Sequence, residues 1–534
     1  GAWNTDFCLL AYFSEKEYEA LEARVLAGNI RVETIAPLFD RISVKSGKAL
    51  FDEIQNRWSL YQTLVSRIYA RSGFYQVSGA YGFRDQLQDG LSLIPVYPEL
   101  TKVLILRAAA HQYEDGSAQH WWHTTEGTGI RTRCSDDFLW LPFVTAEYIE
   151  KTGDASILDL PIPYLSSPPL AKWEHERYER AEKSALREPL LQHLLRAIAY
   201  GNQLGAHGLP LIGTCDWNDG LSAVGIKGRG ESVWLAFFRI LVLRKMRRWV
   251  NDEKCLCAWE AEEKCLCEAL RAHGFDGKWY RRGYYDDGSV LGGASREDAR
   301  IDVLPQAFAA ILSLESGFDP KRARMSMDAV WEMLYDKEAS LLKLLTPPFD
   351  HDEQTPGYIK GYVPGIRENG GQYTHATVWA ALGFLACGEV ERGTEILFAI
   401  NPAERYRDPH LADIYRIEPY VFAGDVYANP QHRGRGGWSF YTGSAAWYRK
   451  VVLETLCGYT ETANGFYLRP LLSSRFPSFK LTVNVKNTRY LIDVSAADVP
   501  SLMLDGEYIA EKEKHLFSFD GNTHRAFMRV RFRE

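Results

Sequence analysis

Gly208-Leu209-Pro210-Leu211-Ile212-Gly213-Thr214-Cys215-Asp216-Trp217-Asn218-Asp219-Gly220 runs an apolar segment into a turn that holds two carboxylates, an indole and an amide. Gly, Asp and Asn favour turns and left-handed backbone, so the stretch is poor helix and poor strand material. Polar groups crowded beside a Trp at the end of an apolar run mark a loop that lines a pocket. A Trp beside carboxylates suits a sugar, with the indole covering the apolar ring face and the acids taking hydroxyls. Read alone, the stretch is equally an Asx-turn stapled by a Trp, with no chemistry.

Outward from this loop, apolar residues recur at helical spacing over 52–72, 97–113, 137–152, 188–204, 231–249, 256–273, 302–315, 321–336, 376–388, 390–400 and 442–457. No βαβ rhythm separates these segments. An array of helices joined by motif-rich loops predicts a mainly α fold, an α/α barrel or toroid with its function on the loops at one end. An α-solenoid is the rival, but no fixed period is visible. From about Gly465 the pattern alternates, and Phe479–Val485 and Phe527–Phe532 read as strands of a small C-terminal β domain. Before the helices, Phe7–Phe13 is a short apolar stretch and Glu15–Ala27 an amphipathic helix. The domain reading is 1–45, 46–460 and 461–534.

Among 534 residues the net charge is −7, which implies no polyanion or nucleic-acid partner. No apolar run reaches membrane-spanning length, because Val233–Leu243 is cut by Arg239. No signal peptide is visible, and nine cysteines fit reduced thiols, so the expected location is the cytoplasm. The chain opens at Gly1 rather than Met, as expected of a fragment or a processed product. Cys255, Cys257, Cys265 and Cys267 form two Cys-x-Cys pairs, but in a helix residues two apart face different ways. A duplicated helical segment is favoured over a zinc site, and no metal is expected.

Six stretches, all read as loops, carry chemistry. They are Gly79–Asp89, Gln119–His123 with Arg131, Arg133, Asp136 and Asp137 after it, the opening stretch, Arg367–His375, Glu418–Val421 and Gly434–Ser444. Arg84, Asp85 and Asp89 read as a charge-paired set able to grip adjacent hydroxyls, or as a buried structural ion network. His375 alone is equally a satisfied core histidine. Together the stretches offer acids, Trp residues, basic groups and a Thr-Gly-Ser helix start. Backbone N–H groups and hydroxyls at such a start bind anions. A sugar site beside an anion site points to phosphorolysis.

At this point the sequence resembles the cellobiose phosphorylase family, glycoside hydrolase family 94, from about Asn56 to Tyr459. Gln119-His-Trp-Trp-His123, Asp216-Trp-Asn-Asp219 and Glu368-Asn-Gly-Gly-Gln-Tyr-Thr-His375 match the whole family. Asn56–Gln62, Arg71–Gln76 and Gly82–Asp89 look most like the branch of 1,2-β-oligoglucan phosphorylases and the phosphorylase-like C-terminal module of cyclic β-1,2-glucan synthases. The resemblance implies an (α/α)6 barrel, a C-terminal β segment and an N-terminal β-sandwich. On this resemblance the sandwich is expected to be missing from the sequence, with Phe7–Phe13 looking like its last strand and residues 15–45 like the linker. The family's sandwich shapes the acceptor side, often across a dimer, so a homodimer is among the expected partners.

The resemblance also implies site roles. Asp219 corresponds to the general acid. Arg84 and Asp89 are read as the Arg and Asp that hold the sugar at the cleavage site. Trp122, Asp137, Trp217, Glu368 and Gln372 complete the expected sugar contacts. His375, Thr442 and Gly443 correspond to phosphate ligands, with Arg71 as a further one. The partners are then a β-glucan oligosaccharide and inorganic phosphate as co-substrate, with no metal or organic cofactor. The implied reaction is inverting phosphorolysis of a β-glucoside to α-glucose 1-phosphate. Three departures stand out: Cys215 where Gly is usual, Thr124–Gly129 in place of a Pro-Pro-x-Gly-Arg-Gly run, and no Gln in Phe422–Asp425. The rivals are an inverting hydrolase, with its base among Glu368, Asp136 and Asp137, and an inactive glucan-binding module of a larger synthase.

Overall fold

Val233–Met246 and Thr374–Ala386 are buried along almost their whole length and on every side. Helices of that kind belong inside a larger assembly. They are two of six inner helices, with Phe83–Leu93, Trp140–Thr152, Val303–Ser316 and the run that begins at Ser444–Lys450 and continues through Val451–Leu456. Each inner helix packs on the next in chain order, and the last packs back on Phe83–Leu93, which closes the ring. Between them in sequence lie six outer helical segments. The helical stretch 49–69 comes first, then Pro98–Ala109, Leu190–Tyr200, Glu253–Ala269, Pro320–Leu334 and Val390–Ala399. Strict alternation of outer and inner helices makes the chain an (α/α)6 barrel. The computed structural model describes residues 35–70, 79–124, 126–510 and 514–532, with Lys16, Glu19, Ala20 and Ala23. Phe7–Phe13 and Arg71 lie outside the described residues.

Eleven of these helices fall where hydrophobic periodicity puts them. Phe83–Leu93 does not, because Gly79–Asp89 reads as a loop. Its sequence, FRDQLQDGLSL, buries Arg84, Gln86, Gln88, Asp89 and Ser92 beside its apolar residues. A helix whose buried faces are polar shows no amphipathic stripe. Those polar groups are satisfied across the ring: Trp447 Nε1 donates to Gln88 Oε1 at 3.0 Å, and Arg67 Nε to Asp89 Oδ2 at 2.9 Å.

Residues 42–45 were read as linker. Ile42–Lys45 instead forms an edge strand of the C-terminal sheet, paired antiparallel with Ser478–Val485. The six-stranded sheet continues through Thr488–Ala496, Thr523–Val530, Ser501–Leu504 and Glu507–Tyr508. The pair Thr488–Ala496 and Thr523–Val530 is parallel. Cys255, Cys257, Cys265 and Cys267 all lie on the outer helix Glu253–Ala269. No helix of the described residues is long and apolar enough to cross a membrane.

A layer of aromatic side chains fills the middle of the ring. Trp379, fully buried, lies 4.8 Å from Trp217, 5.0 Å from Phe308, 5.5 Å from Trp447 and 6.3 Å from Trp140 between ring centroids. The layer separates two cavities. One, of about 660 Å³, opens at the N-terminal ends of the inner helices; the other, of about 620 Å³, lies at their C-terminal ends and has Trp140, Trp379 and Trp447 in its wall. Trp379→Ala should therefore cost about 3–5 kcal/mol of stability, read from urea or guanidinium midpoints, with Trp379→Phe costing clearly less. A change below about 1 kcal/mol would show that the layer does not carry the barrel.

Candidate active site

The loop from Gly208 to Gly220 reaches the N-terminal mouth of the barrel because its backbone is fixed at several points. Gly213 has φ +63°, and a Cβ there would lie 2.0 Å from the Arg133 carbonyl oxygen, so no side chain fits. Ser135 donates from N and Oγ to the Cys215 carbonyl at 2.9 and 3.0 Å. Asp216 is fully buried and accepts both Arg282 Nη1 and Nη2, at 2.6 and 2.5 Å, and Ser232 Oγ at 2.7 Å. Burial would raise its carboxyl, but the Arg282 guanidinium outweighs that and holds it below the ordinary carboxylate range. Asn218 closes the turn by accepting Gly220 N–H on its side-chain oxygen at 3.0 Å.

With Asp216 locked behind the loop, Asp219 is the acid of this motif that meets the cavity. Its side chain is 38% exposed. Oδ1 accepts Arg84 Nη2 at 2.5 Å and faces Cys215 Sγ at 3.8 Å and His120 Nε2 at 3.9 Å. Oδ2 has no hydrogen bond among the described residues. Arg84 also donates from Nη1 to Asp136 Oδ1 at 2.8 Å and to the Asp216 carbonyl at 3.1 Å. The guanidinium thereby ties the first inner helix to the loop that carries Asp219.

Asp136 and Asp137 lie behind this wall. Asp136 is held by Arg84 and by Trp140 Nε1 at 2.9 Å; Asp137 pairs with His120 Nδ1 at 2.8 Å. Burial pulls the His120 imidazole down, yet Asp137 and then Asp219 beside it lift it well above its ordinary value. Asp137 therefore positions His120 instead of lining the cavity.

A second cluster gathers Arg67, His375, Tyr441, Thr442 and Gly443 in the same cavity. Arg67 stacks over the Tyr441 ring at 4.4 Å. Buried His375 has no hydrogen-bond partner for Nε2 among the described residues. Burial first, and then the Arg67 charge, push its pKa down to about 3, so the ring is neutral at neutral pH. Between the two clusters stands Asp85. Its carboxyl would be raised by burial but is lowered by Arg67 and then by Arg84, His120 and His375.

The sequence reading and the structure part at several residues. Arg84, Trp217, Asp219, Glu368, His375, Thr442 and Gly443 line one cavity. Asp89 does not: it sits one helical turn below Asp85, almost fully buried, and pairs with Arg67 rather than Arg84. Asp85, not Asp89, is the carboxylate of this helix that faces the cavity. Trp122 is turned away, stacked on His111 at 3.8 Å and on Tyr81 at 5.8 Å. Gln119–His123, read as a loop, is a strand paired with Thr128–Thr132, and its register shifts between Gln119 and Trp121. That bulge breaks the alternation of side chains and brings His120 and Trp121 to the cavity together. Gln372 is buried in a short strand, where its Oε1 accepts Leu342 N–H at 3.1 Å. The cavity wall also holds Arg67 and Tyr358, which the sequence reading passed over, and Asp425 and Trp438, which lie in stretches that it named without singling them out. A buried arginine in the apolar run 52–72 was the available signal for Arg67.

Glu368 is buried, and burial raises its carboxyl despite Arg367 Nε at 3.3 Å. Arg367 is clamped between the Tyr362 and Trp438 rings, at 4.8 and 4.6 Å. Among the described residues two sets of atoms are close enough to share a metal ion: His120 with Cys134 and Asp137, and Cys134 with Cys215 and Asp219. Arg84 Nη1 lies 3.6 Å from Cys134 Sγ and its Nη2 bonds Asp219, so a guanidinium already occupies that ground. A cation there would have to displace it.

Known proteins place this geometry. A cyclic beta-(1,2)-glucan synthase, NdvB, of Rhizobium meliloti is 40% identical over 458 residues, covering 85% of this chain and 16% of that protein. Solabiose phosphorylase of Paenibacillus borealis is 28% identical over 495 residues, covering 90% and 60%. A 1,2-beta-oligoglucan phosphorylase of Listeria innocua is 22% identical over 485 residues, covering 84% and 43%. The chain thus spans less than two thirds of each of these relatives. A GH78 family rhamnosidase of Bacillus sp. GL1 shares the fold at a TM-score of 0.54 and 12% identity, over 93% of this chain and 44% of that one. The catalytic-domain profile of the glycosyl hydrolase 94 superfamily matches residues 36–458, and the chain belongs to that superfamily.

Proposed function

We propose that this chain catalyses inverting phosphorolysis of a β-glucoside, with β-1,2-linked glucan as substrate and α-glucose 1-phosphate as product. The observation that carries the reading is the composition of the one cavity. It joins a reachable carboxyl, Asp219, to a separate cluster of Arg67, neutral His375 and the Thr442-Gly443 helix start. In this reading Asp219 gives its proton to the departing glycosidic oxygen as the bond to C1 breaks. A phosphate oxygen forms the new bond to C1 from the opposite face, which inverts the configuration. Arg67 supplies charge to the phosphate, and His375 Nε2 an N–H donor that otherwise has no partner. Asp85 and Arg84 take hydroxyls of the sugar, and Trp217 covers its ring. The similarity to phosphorylases and to a β-1,2-glucan synthase supports this substrate class.

The hydrolase reading loses two of its three bases. Asp136 and Asp137 are sealed behind Arg84 and His120, leaving Glu368 in the cavity wall to activate water. The reading as an inactive glucan-binding module rests on the 16% of the NdvB relative that the chain covers.

The deciding assay follows glucose and glucose 1-phosphate from β-1,2-glucan with and without phosphate. Phosphate-dependent glucose 1-phosphate is expected; free glucose formed equally well without phosphate would replace phosphorolysis by hydrolysis, and no turnover with intact glucan binding would favour the module. Asp219→Asn should lower turnover about a hundredfold or more. His375→Ala should raise the phosphate requirement and leave glucan affinity nearly intact. Glu368→Gln should retain phosphate-dependent turnover, whereas a hydrolytic base at that position would make the variant inactive under every condition.

Asp85 and Asp89 should separate cleanly. Asp85→Asn removes a carboxylate from the cavity, so kcat/KM for glucan should fall by about tenfold or more at an unchanged unfolding midpoint. Asp89→Asn leaves Arg67 buried without its closest counter-charge, so it should lower stability by about 3–5 kcal/mol. Equal effects of both variants on stability would show that Asp85 is structural too.

A further inference from the structure

Cys134 and Cys215 face each other across a parallel β-bridge between the chain leaving Thr128–Thr132 and the catalytic loop. Bridged residues on adjacent strands stand about 4.8 Å apart, inside the range of about 4.4–6.8 Å that a disulfide spans between Cα atoms. Their sulfurs lie within 4.8 Å of each other and of an Asp219 carboxylate oxygen. Both thiols are buried and unbridged, and both are pushed up, Cys215 to about 11, so oxidation runs through a minor thiolate fraction and calls for excess peroxide. Cys215 lines the cavity that holds Asp219, whereas Cys134, its Sγ donating to Asp136 Oδ1 at 3.2 Å, lines a neighbouring one of about 500 Å³.

We propose that Cys134 and Cys215 form a reversible disulfide under a peroxide oxidant, and that this bond switches the site off. A peroxide entering through the cavity beside Asp219 meets Cys215. The Cys215 sulfur takes one peroxide oxygen as the O–O bond breaks, giving a sulfenic acid and one water. The Cys134 sulfur then attacks the Cys215 sulfur; the S–S bond forms and a second water leaves. Two thiols lose two electrons and two protons, the peroxide gains them, and an added thiol reductant reverses the exchange.

An S–S bond of about 2.05 Å is far shorter than a contact between thiols. Closing it draws Cys134 away from Asp136 and Arg84, and Cys215 away from Asp219. Arg84 and Asp219 each lose a sulfur contact, and the shift of Cys215 carries with it the turn on which Asp219 stands four residues later. A metal ion on the same sulfurs would have to expel Arg84, whereas the disulfide adds no charge. The effect on turnover rests on the phosphorolysis reading, but formation of the bond does not.

The test treats the full chain with hydrogen peroxide and maps disulfides by mass spectrometry of unreduced peptides, with glucan cleavage and glucan binding measured alongside. A peptide pair joined through Cys134 and Cys215 is expected, with activity falling about tenfold or more and returning on addition of dithiothreitol. Cys134→Ser and Cys215→Ser should each keep their own starting activity through the same treatment. If the chain shows no phosphorolysis at all, the function reading fails, and peptide mapping with glucan binding still judges the thiol pair. Oxidation of exposed Cys257 and Cys265 while Cys134 and Cys215 stay reduced would overturn the proposal, as would a formed bridge that leaves activity and binding unchanged.

Discussion

Alternation of outer and inner helices forces all six inner helices to run the same way. Their N-terminal ends meet at one mouth and their C-terminal ends at the other. Each helix start leaves backbone N–H groups without intrahelical partners and carries partial positive charge. The mouth where Phe83, Thr374 and Ser444 begin their helices is therefore prepared for anions and for hydroxyl oxygens before any side chain is chosen. The far end has the opposite bias, and Lys151, Lys245 and Lys450 gather there around Glu147. The same constraint explains why the chemistry-bearing residues come from stretches far apart in sequence. Five of the six inner helices contribute their first turn or the loop before it, and Arg67 comes from the end of the outer helical stretch 49–69.

That mouth concentrates acids which do not all do the same thing. Arg282 takes Asp216, Arg67 takes Asp89, and Arg84 takes Asp136 while reaching Asp219. Buried ion pairs contribute little net stability, because desolvation offsets their attraction. Their value here is positional: each guanidinium has a planar set of donors and fixes two elements at once. Arg84 joins the first inner helix to the Gly208–Gly220 loop, and Arg282 joins that loop to the helix that starts at Val303 through Asp302, 3.3 Å from its Nε. What remains for a ligand is the small set of polar atoms that these pairs leave over, chiefly Asp219 Oδ2, Asp85, Glu368 and His375 Nε2.

Most of the barrel was legible because its outer helices are amphipathic and several inner ones are apolar throughout. Phe83–Leu93 was not, since its buried side chains are polar and satisfied only by distant partners such as Arg67 and Trp447. The same blindness placed Asp89 in the site. Asp85 and Asp89 lie four residues apart and share a helix face, and depth below the mouth, which separates them, is a property of the closed ring. Trp122 was misplaced for a different reason. A bulge at His120 inverts the facing of the residues after it, and nothing in Gln-His-Trp-Trp-His announces an extra residue. Asp137 and Gln372 sit in recognisable motifs, but they act on neighbours: one orients His120 and the other accepts Leu342 N–H. Motif membership locates a region, while the hydrogen bonds decide which member touches the cavity.

The state of His375 follows from its company. A protonated imidazole beside buried Arg67 would place two cations in a site with little water, at a cost that burial increases. Neutrality removes that repulsion and leaves a directional N–H. Arg67 can then carry the charge for an incoming anion, with Asp89 2.9 Å and Asp85 3.7 Å from its guanidinium. An arriving dianion would repel Asp85, so phosphate and the Asp85 carboxylate fit the same pocket only with something between them. A sugar ring whose hydroxyls donate to Asp85 is such a spacer. In the proposed reaction the sugar therefore has to be seated before phosphate gains its full affinity, and the order of binding is written into the placement of one carboxylate.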